Sequence, residues 1–248
     1  MTKTFRAIWI VVKREFKGYF ATPLALVFIV IFTALSSALA FYAGGLFEND
    51  QATLDRFFTY HPWLYLLLVP AVAMRLWAEE IKSGTIEMLM TLPLSTLQSV
   101  VGKFLAAWAF TGLALALTFP LWITVNVLGD PDNGVVVAGY VGSFLMAGAF
   151  LAIGSCLSAV TRNQVIAFVG GAGVCFLLVM SGLDIVLEVF RAWAPERLVD
   201  AIAALSFLAH FQSVSRGVLE LADMVFFTSV MVFGLFATVV TLDLRKGG

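Results

Sequence analysis

The residues able to do chemistry crowd into one polar stretch, with Arg75, the carboxylates Glu79, Glu80 and Glu87, and Gly84 followed by Thr85. Carboxylates in such a row form ion pairs, Gly84 can end one helix in the left-handed conformation, and Thr85 can cap the next. Ile86, Leu89, Met90 and Leu92 give that next helix an apolar face before Pro93, and the soft side chains of Met88 and Met90 suit a groove on another protein. This is the chemistry of a docking surface. Glu79 and Glu80 fit pairing with basic residues of a partner or with Arg14 and Lys17, and they fit equally well a solvated helix face.

Catalytic alternatives fail on spacing. A phosphate loop needs Gly-x-x-x-x-Gly-Lys-Ser/Thr, whereas Gly102-Lys103 is followed by Phe104 and has no glycine five residues earlier. Lys103 is therefore expected to snorkel at the start of a span. His61 and His210 lack a third ligand for zinc, and Cys156 and Cys175 lie in apolar runs as packed free thiols. Ser143 and Ser155 each follow a glycine, but no histidine is expected in the membrane interior to act as a base, so both are read as packing residues. Arg75 is expected at a helix end, reaching the headgroups, and Arg191 is expected to pair with Asp184 or Glu188.

The elements that hold these residues are membrane helices. The chain has 248 residues, 61% hydrophobic and 12% charged, with mean hydropathy +0.97, which excludes a soluble globule. A net charge of −1 gives no basic field for nucleic acid. Six apolar stretches approach the ~20 residues that cross a bilayer: 23–43, 57–77, 104–128, 135–160, 165–183 and 224–244. The first is read as a retained span, not a signal peptide. An even number of spans places both termini on one side. Lys3, Arg6, Lys13, Arg14, Lys17, Arg75, Lys82, Lys103, Arg162, Arg245 and Lys246 share that side, eleven of the 15 basic residues, so it is read as cytoplasmic.

Two further segments are amphipathic. In 1–22, Phe5, Ile8, Trp9, Val12, Phe16, Tyr19 and Phe20 recur at helical spacing opposite Lys13, Arg14 and Lys17, as in a helix lying in the cytoplasmic interface. It serves either as an anchor for the first span or as part of a partner interface. The connection 184–223 carries two apolar stripes split by Pro195, predicting two short helices on the outer side. Abundant glycine in the fourth and fifth spans marks interior helices.

Glu79-Glu80 … Ser83-Gly84-Thr85-Ile86-Glu87 … Leu89 … Leu92-Pro93-Leu94-Ser95 … Gly102-Lys103 resembles the coupling region of permease subunits of ABC-2 type exporters. Val12-Lys13-Arg14-Glu15-Phe16 … Tyr19-Phe20 … Pro23 is similar to that family's amphipathic N-terminal helix. His210-Phe211-Gln212-Ser213 … Ser215-Arg216-Gly217-Val218 … Asp223 resembles the branch named after gliding-motility-associated permeases. The resemblance implies an all-α integral membrane protein forming one transmembrane domain over 1–248. Its parts are an interfacial helix (1–22), five spans (23–183) with a coupling segment (79–95), an outer helical segment (184–223), and a sixth span with a cytoplasmic tail (224–248). It implies a bacterial inner-membrane location and Glu79, Glu80, Gly84, Thr85, Glu87 and Leu89 as coupling contacts. The expected partners are two copies of an ATP-binding subunit, which carry ATP and Mg, and a second permease chain as homodimer or heterodimer. Membrane lipids and an envelope protein are further expected partners, and nucleic acid is not. This chain itself is expected to be no enzyme and to hold no cofactor. The alternatives are a non-transporting scaffold that passes mechanical work to the envelope partner, or an ion-coupled secondary transporter, which the near absence of midplane charge disfavours.

Overall fold

A computed structural model describes residues 3–43, 53–87, 94–218 and 220–246. It is 86% helical, with no strand among the described residues, the form expected where backbone groups must find partners within their own segment. Four helical segments are long and apolar enough to cross a membrane, or up to six if two bent helix pairs each count as one.

α1 (Lys3–Phe20) is the amphipathic N-terminal helix. It lies along α6 (Thr96–Ala116), with Val11 and Val12 buried at the contact while Phe5, Trp9 and Phe20 stay exposed. The stripe read from the sequence is therefore divided: Val11, Val12, Phe16 and Tyr19 face the bundle, with Tyr19 stacked on Phe110, while Phe5 and Trp9 face outward. α2 (Pro23–Ala38) starts with proline in its first turn, where no amide donor is needed, and ends in a π-helical turn, Leu39–Ala43.

The stretch 57–77, expected as one span, is absent from the candidate spans among the described residues and is three helices: α3 (Asp55–Thr59), α4 (His61–Ala73) and α5 (Arg75–Ser83). Pro62 starts α4, and Pro70 inside it removes the amide that would bond the Leu66 carbonyl in the preceding turn; α4 stops at Met74, whose N–H still reaches the Pro70 carbonyl at 2.8 Å. α6 begins at Thr96, eight residues before the expected span, because Ser95 and Gln98 form a reciprocal capping box. Pro120 then separates it from α7 (Phe119–Leu128).

α8 (Asn133–Val160), capped by Asp132, is the central helix and packs on α4, α5, α6, α9 (Gln164–Met180) and α13 (Leu221–Lys246). Between α9 and α13 run three short helices, α10 (Asp184–Arg191), α11 (Glu196–Ala204) and α12 (Phe207–Ser215), where the sequence predicted two. Ser206 caps the third by accepting from the Ala209 amide at 3.1 Å, and Phe207, Phe211 and Val214 bury it against α8. Arg191 forms no ion pair with Asp184 or Glu188 among the described residues, contrary to the spacing argument.

Candidate functional site

The break at Met74 leaves backbone groups that a continuous helix would pair, and α8 supplies the replacements. Ser158 Oγ accepts from the Trp77 and Ala78 amides at 3.1 and 3.0 Å and donates to the Met74 carbonyl at 2.8 Å. One turn away, Ser155 Oγ accepts from the Trp77 indole at 3.1 Å. The close approach needs Gly154, because a Cβ there would collide with the Cβ of Ala73. Ser155 and Ser158 thus splice the broken α4–α5 segment into the bundle. The sequence placed Ser155 in a packing role and gave Ser158 none.

Below the splice, three helices are pinned by one cation. Lys103 of α6 is only 4% exposed and lies 2.7 Å from Glu80 of α5 and 3.3 Å from Glu15 of α1, with its ammonium 5.3 Å from the centre of the Trp77 ring. It does not snorkel. Water is excluded there by α1, and the two carboxylates neutralise it where it sits. Glu80 consequently pairs within the chain and not with Arg14 or Lys17, while Glu79 takes Arg75 one helical turn back at 2.9 Å. Arg14 pairs with its neighbour Glu15 at 2.6 Å, Lys13 lies over the Trp9 ring, and Lys17 is exposed in the last turn of α1.

Burial is the largest single influence on Glu15 and opposes its ionisation, but the Lys103 charge together with the charge and hydrogen bond of Arg14 outweighs it, so its carboxyl lies below the ordinary 4.5. A depressed folded value means that the stabilisation is complete at neutral pH and is lost as the pH falls from about 4.5 through the folded value. Glu15→Gln should therefore be less stable than the wild type at pH 7, and the gap between their unfolding temperatures should close as the pH is lowered below about 4.5.

Gly84 ends α5 with φ +74°, and Glu87 N–H returns to the Gly84 carbonyl at 3.3 Å to open a new helical turn at Thr85. Ser83 and Thr85 hydroxyls share a 2.9 Å hydrogen bond. Gly84, Thr85 and Glu87 are exposed. Leu89, with Met88, Met90, Leu92 and Pro93, lies outside the described residues. The structure therefore splits the predicted contacts into two sets. Glu80 holds α5 in place, whereas Gly84, Thr85 and Glu87 are exposed beyond it.

Away from this end, His61 is fully buried with Nδ1 2.7 Å from Ser143 Oγ, so a histidine does lie inside the bundle beside a serine. Phe32, Phe57, Phe58 and Tyr65 pack around its ring, and Ser143 is equally buried. His210 Nδ1 meets Asp223 at 2.6 Å and stacks on Phe226. Among the described residues no three His, Cys, Asp or Glu side chains are grouped to hold a metal ion.

The arrangement is a rigid joint with an exposed tip: α1, α5 and α6 locked by Lys103, α5 spliced to α8, and the Gly84 turn projecting past them. No curated protein matches the chain in a sequence search. The family model for ABC-2 family transporter proteins matches residues 9–243, nearly its whole length. The chain belongs to the ABC-2 transporter family, as a multi-pass membrane permease subunit of an ABC exporter with an ATP-binding partner subunit.

Proposed function

We propose that this permease couples ATP hydrolysis on its partner to export, with the turn at Gly84–Glu87 and the residues after it as the contact that takes up force. The Lys103 cluster carries this reading. Because Lys103 joins α5 to α1 and α6, a push on the tip moves three helices as one body, and packed helices shift between discrete arrangements. The buried Oε2 of Glu80 has no hydrogen-bond partner among the described residues, so the joint retains an acceptor beside the tip.

In this reading both termini and the joint face the cytoplasm of a bacterial inner membrane, following the basic residues. Two ATP-binding subunits serve a pair of permease chains, and ATP and Mg stay on those subunits. In this reading the chain falls in the gliding-motility-associated branch, which the sequence block around His210 and Asp223 resembles.

Substitutions at the tip test this without dismantling the bundle. A Cβ on Gly84 would meet nothing within 4 Å, so Gly84→Val acts only through its left-handed backbone, at a cost of ~1–2 kcal/mol. The exposed charge reversal Glu87→Lys should leave the purified chain nearly as stable as wild type and Gly84→Val should show only that backbone cost, while both lower ATPase co-purification and permease-stimulated ATP turnover. Full turnover and association in both variants would exclude the tip as the coupling contact, as would thiol labelling of Thr85→Cys from outside the cell.

A further inference from the structure

We propose that the cleft beside the Met74 break binds one acyl chain of an anionic phospholipid, with Arg75 holding the phosphate. The cleft, about 210 Å³, lies where α1, α2, α4 and α6 meet. Ala25, Phe28, Ile31, Leu68, Val72 and Phe110 make its walls apolar. Its polar groups belong to Arg75, Thr22 and Tyr19, at the end where the apolar α4 gives way to α5. An apolar slot with a cation at one end matches an acyl chain joined to a charged headgroup.

Three observations select a lipid with a negative headgroup. First, α2 is the least buried of the candidate spans, 22% of its apolar window, so one wall of the cleft is a helix whose apolar surface this chain leaves open. Second, Arg75 spends only Nε and Nη2 on Glu79, at 2.9 and 3.3 Å, and its guanidinium carries five donors, so a phosphate can be held without displacing the whole ion pair. Third, this end of the bundle also presents Lys13, Arg14 and Lys17 on α1, whose positive field favours an anionic over a zwitterionic headgroup. The inference does not depend on the coupling reading, because the site lies on the lipid side of the joint and needs no ATPase.

Glu79 competes with the phosphate for Arg75, which gives the test two opposite signs. The full chain in detergent is titrated, under native mass spectrometry, with phosphatidylglycerol or with phosphatidylcholine of the same acyl chains, and in a third arm with inorganic phosphate. Phosphatidylglycerol should be retained several-fold better than phosphatidylcholine. Arg75→Gln should abolish that preference, Glu79→Gln should increase it, and Ala71→Phe, which fills the cleft, should lower retention of both lipids. Inorganic phosphate should not displace the lipid. Equal retention of the two lipids by the wild type, an undiminished preference in Arg75→Gln, no increase in Glu79→Gln, or displacement by inorganic phosphate would overturn the proposal. Arg75 and Glu79 lie at a partly exposed ion pair, so these two variants keep the test readable if Ala71→Phe does not fold.

Discussion

Lys103→Met should be the most damaging charge change in the protein. The substitution keeps the length of the side chain and removes its ammonium, leaving Glu80 and Glu15 facing each other across a buried site with only Arg14 to compensate, and only for Glu15. Breaking a buried pair in this way costs ~3–5 kcal/mol, because Glu80, only 21% exposed, is left with a mostly desolvated charge and without Lys103 to match it. That corresponds to a fall in unfolding temperature on the order of 10 °C for a chain of this size. Glu80→Gln should cost less, since Lys103 keeps Glu15, and the double variant Lys103→Met/Glu80→Gln should recover part of the loss. Glu79→Gln, at a surface pair, should stay within about 1 kcal/mol of the wild type. Thermal unfolding of the four variants in detergent checks the order. If Lys103→Met were as mild as Glu79→Gln, the joint would not be held by this cation.

Ser158→Ala should be nearly as severe, although it removes a single oxygen. Three backbone groups depend on that atom: the Met74 carbonyl and the Trp77 and Ala78 amides. Each buried group left without a partner costs ~1–3 kcal/mol, and relaxation of the break should hold the total to about 3–5 kcal/mol. Ser158→Thr keeps the hydroxyl and should recover much of the stability, whereas Ser155→Ala, which loses chiefly the Trp77 indole bond, should cost about 1–2 kcal/mol. The functional signature differs from that of the tip variants. Ser158→Ala loosens α5 against α8, so its ATPase partner should still associate while turnover uncouples from export. Equal stability of Ser158→Ala and wild type would mean that the α4–α5 break is repaired by other groups.

The two residues test different levels of the same device. Lys103 fixes α5 sideways to α1 and α6, and Ser158 fixes it lengthwise to α8 through the point where the α4–α5 segment is broken. A lever needs both, because motion at an unbraced break would be absorbed as local fraying before reaching the bundle. Gly154 belongs to the same brace: by letting α8 touch Ala73 it brings Ser155 and Ser158 within hydrogen-bonding range, which a larger residue at 154 would prevent.

Membrane character, helical class, charge asymmetry and the exposed turn at Gly84 were all legible from the chain alone. Each is a local property. Hydrophobic length sets a span, capping residues and prolines set its ends, and in lipid the backbone must close its hydrogen bonds within its own segment. The reading failed where a residue's role depends on a neighbour far along the chain. Lys103 looks like a snorkelling lysine until α1 covers it and brings in Glu15, 88 positions away. Ser158 looks like a small residue in a glycine-rich helix until the Met74 break, 84 positions earlier, presents it with unpaired backbone groups. His61 looks like a surface histidine until α8 brings Ser143 against it from 82 positions away. What tertiary structure alone decided, therefore, was which polar groups are buried and with whom. Burial changes the energy of a charge or a hydrogen bond from negligible to several kcal/mol, and no pattern along the sequence records which helix will do the burying.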